Sequence, residues 1–153
     1  MAYGVFLLFL HVAGVVVWVG GMFTMLHVLR PAAHAVLAPP QRVPLMTDAI
    51  GRFLRVVWVA MPLTVASGFA RLAQTGFADA PRAWHWMAAT GLAMAVVFAV
   101  LWFGPYAAMR RHAGAQRWPD AAAAGEKVRR LVAANLALGF VTIAIATLGL
   151  RLL

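Results

Sequence analysis

Residues 4–29 read GVFLLFLHVAGVVVWVGGMFTMLHVL, a run without a single Asp, Glu, Lys or Arg. A hydrocarbon core about 30 Å thick is crossed by roughly 20 apolar residues in helix, and this run exceeds that length. It is too long for the apolar region of a signal peptide. No basic stretch precedes it and no small-residue cleavage site follows it, so it reads as a retained membrane helix. Working outward, three further apolar runs cover residues 53–70, 83–109 and 131–150, separated by segments that hold nearly every Arg, Pro and acidic residue. Composition agrees: 64% of residues are hydrophobic and 11% charged, far from the balance of a water-soluble domain. The expected fold is all-α, an integral membrane bundle of four transmembrane helices forming one domain over residues 1–153.

The net charge of +9 sorts by connection. Arg30, Arg42, Arg52 and Arg55 flank the first, and Arg110, Arg111, Arg117, Lys127, Arg129 and Arg130 flank the third. Arg71 and Arg82 flank the second and Arg151 is C-terminal, a split of ten against three. The positive-inside rule therefore expects the first and third connections in the cytoplasm and both termini in the periplasm of a bacterial inner membrane. The basic residues serve topology and lipid headgroups, and nucleic acid is not expected as a partner. A lipid-facing surface rich in alanine leaves room for a second copy or another membrane protein.

Punctuation sets the expected boundaries. Pro31 ends the first helix, Pro39, Pro40 and Pro44 hold the next segment as a loop, and the second helix enters after Gly51. Asp79 reads as an N-cap with Pro81 in the first turn of the third helix, Pro105 kinks its end, and Trp118, Pro119 and Asp120 open an approach to the fourth. Trp84, Trp86 and Trp118 lie at interfaces.

Chemistry must come from polar and sulfur-bearing residues at membrane depth. His11 lies two turns into the first helix, and helical spacing places it on one stripe with Trp18, Met22 and Met25, beside Gly14 and Gly21. The glycines would admit a neighbouring helix or a flat ligand. On the third helix His85 and Met87 start from the same side of the membrane but point about 200° apart. If Met87 faces inward with Gly91, Met94 and Phe98, His85 faces away. The fourth helix offers a small and polar stripe, Asn135, Gly139, Thr142, Ala146 and Gly149, suited to close packing and an interhelical hydrogen bond. His27, His34 and His112 belong to the basic side and read as interfacial.

Three readings fit His11 and its methionines. Imidazole and thioether donors suit Cu(I), bound by His11 with Met22 and Met25, or by His11 with Met87 or His85. The same donors suit the iron of haem b, with Trp18, Gly14 and Gly21 shaping its cavity. Alternatively, His11 bonds a backbone carbonyl or Asn135 and the methionines are apolar filler. Without cysteine there is no disulfide or thiolate chemistry. The acids Asp48, Asp79, Asp120 and Glu126 fall in loops and form no catalytic pair, so a hydrolase is not expected. Any enzyme here would be a haem-dependent oxidoreductase.

The stretch His11-Val-Ala-Gly14-Val-Val-Val-Trp18-Val-Gly20-Gly21-Met22-Phe23 resembles the first helix of the copper-resistance protein D (CopD) family. His85-Trp-Met87, Phe103-Gly104-Pro105-Tyr106 with Arg110 and Arg111, and Arg129-Arg130-Leu131-Val132-Ala133-Ala134-Asn135-Leu136 with Gly139 resemble later helices of the same family. The resemblance implies a four-helix membrane domain that handles copper, standing alone without the longer multi-span architecture of full-length relatives. The opening His and Trp-x-Gly-Gly are also similar to HemJ-type protoporphyrinogen oxidases, which bind haem b. Their His-x-Lys pair is replaced here by His85-x-Met87, which removes the lysine while leaving an axial-ligand residue in its place.

Overall fold

A computed structural model describes residues 2–152, with side chains from Tyr3 to Gly149. Met1 and Leu153, the ends of the expected domain, and the side chain of Arg151 lie outside the described residues. Among the described residues there is no strand, and four helices are long and apolar enough to cross a membrane: Tyr3–Val36, Pro39–Thr75, Arg82–Gly114 and Trp118–Gly149. Each contains one of the expected apolar runs. Helix is the form this composition demands, because a segment in lipid must satisfy every backbone N–H and C=O within itself.

The helices contain 34, 37, 33 and 32 residues, well beyond the roughly 20 that span a bilayer. The surplus lies at the basic end, where loops were expected. Pro31 does not end the first helix. The N–H of Arg30 bonds Met25 O, five residues back, in a π-helical turn over Met25–Leu29. The widened turn makes room for the proline ring, and helix continues over Arg30–Val36. Pro105 acts similarly: the expected kink is a π-helical turn over Trp102–Tyr106, followed by helix over Ala107–Gly114.

Pro39 and Pro40 open the second helix instead of holding a loop, because a first-turn residue has no use for its N–H. That helix runs through Pro44, Gly51 and Pro62 to Thr75, and the first connection shrinks to residues 37–38. Gly76 closes it with φ 88°, a value glycine adopts at little cost. Pro81 itself, not Asp79, is the N-cap of the third helix. Asp48, Asp120 and Glu126 also lie in helices rather than loops.

The first helix packs chiefly on the second and the third on the fourth, two antiparallel hairpins side by side. Their shared core includes Trp18, Met22, Leu54, Met94, Phe98 and Val128, all nearly inaccessible. Phe6, Phe9, Val16, Phe103 and Phe140 point outward, as they must where the surroundings are lipid.

Candidate functional site at His11

The seam between the first two helices is built on glycine. A Cβ on Gly14 would sit 2.1 Å from Thr64 Oγ1, and one on Gly21 would sit 2.2 Å from the Phe53 ring. Gly14 and Gly21 are two turns apart and share a face, so the second helix seats one side chain in each slot. At Gly68 the relation reverses: the second helix supplies the gap and His11 fills it, 3.0 Å from where a Cβ would stand. The glycines thus serve helix packing. The face that a flat cofactor would need is filled by Thr64 and Phe53, and Trp18 is a core residue, 3% exposed.

His11 is half-buried, and its Nδ1 lies 2.8 Å from the main-chain oxygen of Thr64. A carbonyl oxygen only accepts, so Nδ1 carries the proton and donates. In the neutral ring Nε2 then keeps its lone pair, the form in which a histidine serves as a metal ligand while a carbonyl fixes its ring. Of the two hydrogen-bond partners expected for the ring, the structure supplies the carbonyl and not Asn135. Thr64 O also accepts from Ser67 Oγ at 3.1 Å, and Thr64 Oγ1 donates to Ala60 O at 2.8 Å. Two turns above, Arg71 Nη1 donates to Gly4 O at 2.9 Å and its guanidinium lies 5.6 Å from the centre of the Trp84 ring. Those contacts tie the ends of the first three helices together over His11.

Thr64, Ser67, Gly68 and Arg71 escape a reading that searches for histidine and methionine. Their signal is nevertheless present, as small or polar residues three and four apart on one face of an otherwise apolar helix.

The methionines divide by depth. Met22 is 2% exposed on the face shared with Trp18, but eleven residues of helix place it roughly 16 Å along the axis from His11. Met25 lies deeper still, beside Met46 in a crevice of about 30 Å³ at the basic end. No single ion can join His11 to either. On the third helix His85 is exposed, with Nδ1 3.4 Å from Pro81 O, while Met87 is half-buried on the face that continues inward to Met94 and Phe98. Trp84 stands level with the Arg71 bridge, and Met87 follows it by about one turn, toward the depth of His11.

On the fourth helix Thr142 bonds Thr90 Oγ1 at 2.8 Å, the interhelical bond its stripe suggests, and approaches the Met94 sulfur at 4.0 Å. A Cβ on Gly139 would touch Val19 and Met94. Asn135 is 3% exposed and its Oδ1 has no hydrogen-bond partner. Among the described residues no three His, Asp, Glu or Cys side chains converge as a metal cluster.

No curated protein and no solved structure matches the chain. The model of one family, described as copper resistance protein D, matches residues 47–148, which takes in most of the second helix and nearly all of the last two but not His11, and on that match this chain belongs to the CopD family.

Proposed function

We infer that the protein binds or conducts copper, as Cu(I), in the half of the membrane that holds its termini, with His11 as the principal donor and Met87 as its thioether partner. The observation that carries this reading is the Nδ1–H of His11 donating to Thr64 O, which in the neutral ring leaves Nε2 as the nitrogen able to bind a metal. Membership of a copper-resistance family supports copper as the cargo. The depth of Met87 and its half-buried face favour it over His85, whose exposed side chain points elsewhere. The ten-to-three split of basic residues supports placing this half on the periplasmic side.

The test is copper stoichiometry by elemental analysis after loading the detergent-purified protein with Cu(I). His11→Ala should lose most bound copper, Met87→Leu should lower the affinity, and His85→Ala should bind as the unmodified protein does. Full copper retention by His11→Ala would overturn the assignment. Reporter fusions to either terminus should read periplasmic, and a cytoplasmic reading would move the site to the opposite side.

A further inference from the structure

At the basic end, Arg30 from the first helix and Arg129 from the fourth converge on one carboxylate. Arg30 Nη2 lies 3.1 Å from Glu126 Oε2, and Arg129 Nε lies 2.8 Å from Glu126 Oε1. Arg130 approaches the same carboxylate at 3.6 Å. Three guanidinium groups thus share one negative charge, and the cluster keeps an excess of positive charge. Arg30 and Arg129 are held side by side with N–H donors to spare, because a guanidinium carries five.

Both line a groove of about 600 Å³ between the first and fourth helices, together with His27 and His34. Its remaining wall is apolar, with Leu136 and Phe140 continuing along the fourth helix toward the middle of the membrane. Phe140 is 52% exposed, on a surface that faces lipid.

We propose that this groove holds one anionic phospholipid, its phosphate on Arg30 and Arg129 and an acyl chain along Leu136 and Phe140. Charge complementarity selects an anion, and paired guanidinium groups suit phosphate oxygens better than a point charge does. The apolar wall selects an amphiphile over free phosphate. A groove between membrane helices at the basic side is where such headgroups gather. Glu126 orients the two arginines and also competes with the phosphate for them.

That dual role makes the proposal testable independently of copper. Lipids that remain with the detergent-purified protein are extracted and quantified by mass spectrometry. Thermal stability is then measured in nanodiscs of phosphatidylcholine with and without phosphatidylglycerol. The unmodified protein should retain anionic over zwitterionic lipid and be stabilised by phosphatidylglycerol. Arg30→Gln or Arg129→Gln should lower anionic-lipid retention roughly fivefold.

Glu126→Gln breaks the same ion pairs but removes the competitor, so its retention of anionic lipid should equal or exceed that of the unmodified protein. The double variant Arg30→Gln, Glu126→Gln leaves no unpaired carboxylate, so it reports on the lipid even if Arg30→Gln alone misfolds. It should show the low retention. The proposal fails if bound lipid mirrors the bulk composition, if Glu126→Gln loses lipid as the arginine variants do, or if millimolar inorganic phosphate gives the same stabilisation as phosphatidylglycerol.

Discussion

Two polar clusters among apolar helices, one around His11 and one around Glu126, are held by opposite means. Around His11, side chains bond to main chain: His11 to Thr64 O, Thr64 to Ala60 O, Arg71 to Gly4 O. Around Glu126, at the basic end, side chains bond to side chains: Arg30 and Arg129 to its carboxylate. A main-chain acceptor cannot be mutated away and moves only if its helix moves. A side-chain hub can be lost with one substitution, and it can exchange its partner for a ligand. The first arrangement suits a donor that must be fixed, and the second suits a surface that meets mobile lipid.

The largest effect should come from breaking the seam that fixes His11. Gly14→Val would drive a side chain into Thr64 and should cost about 3 kcal/mol or more, seen as loss of monodisperse protein in detergent. Gly20→Ala, six residues further along the same helix and with no neighbour within 4 Å of the added carbon, should leave folding intact. Equal outcomes for these two variants would remove the seam from the comparison. Next, Glu126→Ala should cost about 1 kcal/mol of resistance to SDS unfolding, a modest figure because the pair is partly exposed, and high salt should erase the difference.

A smaller change should follow Thr142→Val, about 0.6 kcal/mol, since the lost hydroxyl bond to Thr90 lies inside the membrane, where such bonds are worth little net. The smallest should be Thr64→Val. It keeps volume and the main-chain oxygen that His11 uses, so copper content should not change. Gly68→Ala, by contrast, presses on the His11 ring and should lower it. If Thr64→Val depletes copper as strongly as His11→Ala, the idea that main chain fixes the histidine is broken.

The number and rough position of the spans were legible because apolar runs of that length have one stable form in lipid. Boundaries at the basic end were not. Pro31, Pro39 and Pro40 read as breaks there, yet Pro39 and Pro40 occupy a first turn and Pro31 follows a π-helical turn, while Pro105, which reads as a kink, lies within another, outcomes that depend on what the flanking helices pack against. His11 stood out as a candidate because an imidazole at that depth needs a partner. A backbone carbonyl was among the partners expected for it, but that the carbonyl is that of Thr64 was not legible, since a main-chain oxygen carries no sequence signature. Gly14 and Gly21 were legible as points of close approach, but a single sequence cannot tell a helix from a cofactor as the approaching object. The opposition of His85 and Met87 follows from helical angle alone, which is why one is exposed and the other half-buried.

The π-helical turn at Met25–Leu29 also sets a phase relation. Met22 and Arg30 are eight residues apart, which in unbroken helix would turn Arg30 about 80° away from the face of Met22. A π turn takes up one additional residue, about 100° of rotation, and so returns Arg30 close to the direction of the buried Met22 and toward Glu126. The first helix therefore behaves as two segments with separately adjusted facing, joined by a one-residue slip. Single-residue insertions or deletions are usually ruinous in a membrane helix. Here, a deletion within the turn would return it to ordinary α-helix and set Arg30 seven positions after Met22, about 700° of rotation, so the packing of His11 and Trp18 and the facing of Arg30 would both be kept, and the helix can lose one residue there without turning either half.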